Sequence, residues 1–363
     1  MVLNSAHILI CRTDNIGDVI LTLPITAYLK QQFPGIKISF LCRAYAAPIV
    51  EYCSTVDHVI EFESLTDPVA FFRYSDIDAV IFAQPKKALA IAAHKAGIPN
   101  RIGNVHRGLF NWLHCNRRLH FTKGRSNNHE AQSNFKYLSP LGLDYLPDCS
   151  AIPALYQFNI PNDPPITQVL RQGKFNLIIH PKSNGHGREW SIQQYIALAK
   201  LLSNDPRIAL LVTGSMNEGK WISEHGPELF QLPNVTDICG KFTLKQLTAF
   251  IQSSDGLIAS GTGPLHMSAA FGQRTCGLFP GARTMNPSRW GALGVRAKSL
   301  APLKGCPGCK IKNALTCDCM KNISPATVEK IVTSWVNEKY AALQRADASL
   351  ANENEQEGIR IRD

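Results

Sequence analysis

Gly17-Asp18 stands between a short apolar run, His7 to Cys11, and a segment with helical patterning from Val19 to Gln32. The run reads as a buried parallel strand, which puts the pair in a strand-to-helix turn. Ligands of open α/β sheets bind at the carboxyl ends of the strands, and a carboxylate held there can take a proton from a bound hydroxyl. Asp is equally a favoured helix N-cap, so the turn alone leaves both roles open for Asp18. Arg12, in the same loop, can reach an anionic acceptor or pair with Asp14 or Asp18. Asp14 itself reads as a turn or solvated carboxylate.

The second half of the chain carries groups suited to phosphate. Gly261-Thr262-Gly263 precedes a helix predicted from Pro264 to Phe271. The N–H groups and dipole at a helix N-terminus bind phosphate, and glycine lets the backbone approach closely. Thr262 and Gly263 are therefore the expected diphosphate contacts, with His266 in the first helical turn beside them. The plainer alternative is an ordinary tight turn. The loop His180–Trp190 follows a strand and is rich in Gly, Ser, Asn and basic side chains, which makes Lys182 and Ser183 further phosphate candidates. Trp190 reads as a packing anchor. Glu218 follows a strand and Thr213-Gly214-Ser215, where a first-turn acid is also favoured by the helix dipole.

Cys306-Pro307-Gly308-Cys309 followed by Cys317-Asp318-Cys319 is a spacing able to bind zinc. The tight CxC half is unusual for a structural zinc site, and reduced or locally paired cysteines are expected instead of metal. The chain has 11 cysteines and no apparent export signal, so a disulfide framework is not expected.

Strands alternate with helices on both sides of a Pro-, Asn- and Asp-rich stretch. Strands are predicted at Ile8–Cys11, Ile36–Leu41, His58–Phe62 and Ala79–Phe82, with helices at Ile20–Gln32, Ala44–Tyr52 and Lys87–Ala96 and a further helix near Glu130–Leu141. The alternation resumes with strands at Phe175–His180, Ile208–Thr213, Leu257–Ala259 and Thr275–Phe279, and helices at Ser191–Leu202, Leu244–Gln252 and Pro325–Leu343. This pattern predicts βαβ units and parallel sheets, and 363 residues suit two α/β domains. The expected division is a first domain over 1–160, a linker over 161–174, a second domain over 175–344 and a polar, frayed tail over 345–363.

Arg12-Thr13-Asp14-Asn15-Ile16-Gly17-Asp18-Val19-Ile20-Leu21-Thr22-Leu23-Pro24 resembles the N-terminal signature of the glycosyltransferase family that contains the lipopolysaccharide heptosyltransferases, glycosyltransferase family 9. His129-Glu130 with Phe135-Lys136-Tyr137-Leu138 and Leu141-Gly142 resembles the segment closing its first domain. Ser260–His266 resembles its donor loop, and Cys319–Ile323 its C-terminal box. The resemblance spans residues 6 to 335 in the family's order. It implies a GT-B fold, two Rossmann-like domains facing each other across a cleft, with Asp18 as catalytic base. It also implies Arg188, two before Trp190, on the donor diphosphate and Glu218 near the nucleoside. Many family members carry Asp where this chain has Gly261, and that Asp is expected to contact sugar hydroxyls, so the identity of the donor sugar stays open. Arg188, Lys182 and a helix N-terminus would replace a metal at the diphosphate, so no cofactor is expected.

The implied reaction is inverting transfer of a heptose from ADP-heptose to a lipid A–inner core acceptor. The alternatives are a same-fold transferase using another nucleotide sugar, a nucleotide-sugar epimerase or hydrolase, and a binding module without turnover. Net charge is +10, which suits anionic partners. Lys86, Lys87, Lys95, Arg101, Arg107, Arg117, Arg118, Lys123 and Arg125 crowd a region where acidic residues are almost absent, between Asp78 and Glu130. No nucleic-acid motif accompanies that charge, and no apolar run is long enough to cross a membrane. The expected setting is the cytoplasm, with peripheral contact at the inner membrane.

Overall fold

The computed structural model describes residues 2–360 apart from 123–126, 184, 186, 187, 283, 303–305, 307, 308 and 310–317; for residues 347–360 only the backbone is described. Twelve described strands form two six-stranded sheets. The first contains β1 (His7–Cys11), β2 (Lys37–Cys42), β3 (His58–Glu61), β4 (Ala79–Phe82), β5 (Asn100–Asn104) and β6 (Arg117–Leu119). The second contains β7 (Phe175–His180), β8 (Ile208–Val212), β9 (Val235–Asp237), β10 (Gly256–Ser260), β11 (Arg274–Leu278) and β12 (Ala297–Leu300). Their orders are β3-β2-β1-β4-β5-β6 and β12-β11-β10-β7-β8-β9, and every pairing is parallel. Both are the doubly wound order, in which the chain reverses direction of travel at the sheet centre. The reversal falls between β1 and β4 in the first sheet and between β7 and β10 in the second.

The central strands are apolar on both faces because helices cover both. Ile8, Leu9 and Ile10 of β1 are wholly buried, as are Leu177 and Ile178 of β7. The alternation predicted from the sequence is thus two Rossmann-like sheets, the α/β arrangement expected.

The helix predicted from Val19 to Gln32 is two helices, Ile16–Ile20 and Pro24–Gln32. Pro24 has no N–H to donate, and its ring would meet the carbonyl of Ile20, so the first helix stops there. The first thus stays short and directs Asp18 away from the long helix behind it. The expected frayed tail is corrected: the backbone stays helical from Pro325 through Arg360. Ala, Leu, Glu, Gln and Arg are strong helix formers, and their abundance there outweighs the lack of an apolar stripe. The front of this helix is anchored by Val328, Val332, Trp335 and Val336, all buried. Lys339 and Tyr340 donate to the carbonyls of Lys174 and Gly173 at 3.1 and 2.6 Å.

Candidate active site

Segments that follow β1 and β2 in the first sheet and β7, β8, β10 and β11 in the second line one cleft of about 720 Å³. Asp18 lines it from the first domain; Ser183, Arg188, Glu218, Thr262 and His266 line it from the second. Of the predicted site residues, Asp18, Ser183, Arg188, Glu218, Gly261, Thr262, Gly263 and His266 therefore meet in a single cavity.

Asp18 does not cap its helix. Asn15 holds the N-cap position and Asp18 lies in the first turn. Its carboxylate takes a close ion pair from Nη2 of Arg12, while Nε of Arg12 reaches Asp14 at 2.7 Å and Nη2 also approaches Glu130 at 3.4 Å. Arg12 is 1% exposed. Burial alone would lower its pKa, but Asp18, Asp14 and Glu130 together raise it. The expectation that Arg12 contacts an acceptor is corrected: its guanidinium is enclosed by three carboxylates and aims Asp18. Asp14 also proves not to be a solvated turn residue. Burial pushes its carboxyl up to about 6, against the opposing pull of Arg12 and with Asp18 adding to the rise.

Lys182 is a second correction. Its ammonium pairs with Glu189 at 2.5 Å and lies 3.6 Å from the centre of the Trp221 ring. It lines a separate cavity of about 340 Å³ with Trp221 and His225. The same Glu189 accepts from the Ser183 N–H and Oγ at 2.7 and 2.9 Å, fixing Ser183 at the cleft wall. Arg188 is 6% exposed, with Nη1 3.3 Å from the Cys309 sulfur. Trp190 is the anchor expected of it: it is buried, its N–H donates to Ser260 Oγ at 3.0 Å, and its indole donates to the Ile323 carbonyl at 3.0 Å. Glu218 forms a capping box with Ser215 and also borders the cleft.

Thr262 is the N-cap of the Gly263–Ala270 helix, and its side chain makes no capping bond. Its buried Oγ1 has no hydrogen-bond partner among the described residues, and Thr262 belongs to the cleft wall. Pro264 removes one first-turn donor, leaving the N–H groups of Gly263 and Leu265 to point out of the helix end. An anion placed there would meet two donors and the positive end of the dipole.

Contacts between the two halves close the cleft's back. A Cβ on Gly263 would lie 3.2 Å from Ile16 Cβ, so any larger residue would press these two loops apart by a few tenths of an ångström. His129 accepts from the Ala131 N–H through Nδ1 and donates through Nε2 to the Gly291 carbonyl at 2.9 Å. Glu130, 2% exposed, reaches Arg289 at 3.7 Å as well as Arg12. The sequence marked His129-Glu130 as a motif but gave neither residue a role. Arg289 carried no signal at all, nor did Arg43 and Tyr45, which line the cleft beyond β2; their place just past a strand's carboxyl end was the available cue.

Two doubly wound sheets whose switch points face one cleft, with a carboxylate on one side and a helix N-terminus on the other, define a GT-B architecture. The sequence profile of glycosyltransferase family 9 (heptosyltransferase) matches residues 72–317, and the chain belongs to that family. A Haemophilus influenzae protein named "Putative glycosyltransferase" is 29% identical over 301 residues, 78% of this chain and 85% of that one. The crystal structure of a glycosyl transferase family 9 protein from Veillonella parvula superposes with a TM-score of 0.74 at 18% identity, covering 93% of this chain and 99% of the other. The Escherichia coli ADP-heptose lps heptosyltransferase II does so with a TM-score of 0.68 at 17% identity, over 92% and 99%. The chain is accordingly a glycosyltransferase of GT-B fold.

Proposed function

We propose that this glycosyltransferase moves a heptose from ADP-heptose, with inversion at the anomeric carbon, to a lipid A–inner core acceptor of lipopolysaccharide. The observation that carries the reading is the cleft itself, where Asp18 and the N-terminal end of the Gly263–Ala270 helix line the same cavity. Asp18 takes the proton of an acceptor hydroxyl, whose oxygen attacks the anomeric carbon as the bond to the diphosphate breaks. Arg188, Thr262 and the Gly263 N–H stabilise the charge that grows on the departing nucleoside diphosphate. Ser183 shapes the wall beside them, and Glu218 accepts from the nucleoside. The likeness in fold to the E. coli ADP-heptose lps heptosyltransferase II supports the choice of donor and lipopolysaccharide.

A membrane-bound acceptor calls for a surface that meets the bilayer. Leu109, Trp112 and Leu113, on or beside the short helix Phe110–His114, are 83%, 44% and 73% exposed. Arg118 stacks over Trp112 at 5.2 Å, and no acidic residue occurs from 79 to 129. Apolar side chains within a cationic rim suit the anionic headgroups of a cytoplasmic leaflet. The division into a first domain over 1–160, a linker over 161–174 and a second over 175–344 belongs to the same proposal. Phe158 still pairs with Cys53 of the first half, and β7 opens at Phe175.

Incubation with ADP-heptose and a heptose-deficient lipid A–inner core, followed by mass spectrometry of the lipid, tests the reading. The lipid is expected to gain one heptose, and Asp18→Asn to lose about 10²–10⁴-fold in rate while still binding ADP. A lipid of unchanged mass with ADP-heptose, alongside transfer from another nucleotide sugar, would overturn the choice of heptose.

A further inference from the structure

Three cysteine sulfurs meet behind the donor loop. The sulfurs of Cys306, Cys309 and Cys319 all lie within 4.8 Å of one another, and those of Cys309 and Cys319 are 3.4 Å apart. A disulfide would bring two sulfurs to about 2.05 Å. Sulfurs bound tetrahedrally at about 2.3 Å from a zinc ion stand about 3.8 Å apart along each edge. The observed spacing is thus that of thiolates around one ion, not of a covalent pair. No disulfide joins the described cysteines to one another. Of the two states expected from the sequence, reduced or locally paired, the described cysteines are in the reduced one. Cys317 lies outside the described residues, but in the sequence it completes a CxxC followed by CxC.

A guanidinium closes one side of the cluster: Nη1 of Arg188 is 3.3 Å from the Cys309 sulfur and 4.0 Å from that of Cys319. Cys319 is itself buried, in the same apolar cluster as Trp190 and Ile323. The other described cysteines sit singly in the sheets and loops.

We infer that Cys306, Cys309 and Cys319 bind one divalent transition ion, zinc or ferrous iron, through their thiolates, and that this ion holds Arg188 at the wall of the donor cleft. Each thiol releases its proton to solvent as the ion binds, and the ion changes no oxidation state. Its role is to position: it ties the segment around Cys306 and Cys309 to Cys319 beneath Trp190, and Arg188 is held against that face. The inference is independent of which sugar is transferred.

The full chain, expressed in medium supplemented with zinc or with iron and desalted without added metal, is analysed by plasma mass spectrometry. About one ion per chain is expected in at least one arm, and the arm that fills identifies the metal. Titration of the wild-type thiols with a mercurial is expected to release that ion in step with modification, which requires no variant to fold. Cys309→Ser and Cys319→Ser are expected to lose it. Protein stripped by a chelator and refilled with Co²⁺ is expected to show intense sulfur-to-cobalt charge-transfer absorption. Stripping is also expected to weaken ADP binding about tenfold, and to have little further effect in Arg188→Ala. Negligible metal in both arms, or cobalt bound without the charge-transfer band, would overturn the site. Unchanged ADP affinity after stripping would overturn the link to Arg188.

Discussion

A Cβ built on Gly17 would lie 2.8 Å from Cδ2 of His266. The glycine of the Gly-Asp step therefore abuts a histidine from the opposite domain, one position before the carboxylate assigned as base. Gly17→Ala is expected to separate the two faces and lower kcat/KM by about 10²-fold, the usual cost of displacing reacting groups by about 1 Å. ADP affinity is expected to fall far less. His266→Ala adds room at the same point, so the double variant is expected to recover part of the loss; kinetics on the four proteins of this cycle measure the coupling.

Among the described residues, Arg12 is the cation paired with both Asp14 and Asp18. Arg12→Met removes the charge and leaves buried Glu130 and half-buried Asp14 and Asp18 without their shared cation. It is expected to cost about 3–5 kcal/mol of stability, read as a drop in the urea midpoint. Arg12→Lys keeps the charge but loses the fork that spans the carboxylates. It is expected to fold and to lose activity, with the greater effect on kcat.

Gly261 replaces an Asp common in the family, and its neighbour shows what the exchange requires. A Cβ there would lie 3.0 Å from Phe279 Cε1. Gly261→Asp alone is expected to destabilise by about 1–3 kcal/mol through crowding. Phe279→Leu in the same chain is expected to relieve most of it, as seen in thermal melts. A donor panel run on the double variant then reports what the added carboxylate does to sugar preference.

Acid is expected to loosen the junction between the halves. Burial pushes His129 down to about 4, partly offset by Gly291 and Glu130, and pushes His266 down to about 3, with His129 adding to the fall. Both ordinary values are near 6.5, so the unfolded chain binds more protons than the folded one between about pH 3 and 6.5. Stability therefore falls as pH drops through that window, by up to about 1.4 kcal/mol per pH unit for each histidine. Asp14, raised to about 6, acts with the opposite sign between about pH 4 and 6 and offsets part of the slope. Denaturant midpoints measured from pH 7 to pH 4 are expected to show the decline, shallower in His266→Asn.

The exposed Leu109, Trp112 and Leu113 predict vesicle binding. The protein is expected to sediment with vesicles rich in phosphatidylglycerol, less so in high salt, and hardly with phosphatidylcholine alone. Leu109→Ser with Leu113→Ser is expected to abolish most of the binding while turnover of a detergent-dispersed acceptor persists.

The sheet centres were readable because β1, β4, β7 and β10 are short, mostly apolar runs between turn residues. Most outer strands were not, β3 being the exception. Asn100–Asn104, Arg117–Leu119 and Ala297–Leu300 are polar or charged in sequence, and their identity as strands comes from a neighbour's backbone, which no local pattern reveals. The same holds for the site. Asp18, Thr262 and Gly263 could be found from the turn and helix start they occupy. Arg12 is also local, but whether its guanidinium faced outward or inward depended on Glu130, 118 positions away. Lys182 was misplaced for a like reason: Trp221 draws its ammonium to the other side of the loop.

The two halves share one apolar core, with Ile49 and Val50 of the first in the same cluster as Phe250 and Leu265 of the second. At three further points size or a backbone group decides: His129 reaches the Gly291 carbonyl, and a Cβ on Gly263 or Gly17 would crowd Ile16 or His266. Exchange of one half for a relative's therefore has to carry matching apolar faces as well as a small residue or an imidazole at each of these points, and chimaeras joined at the proposed linker, near residue 161, put that requirement to the test.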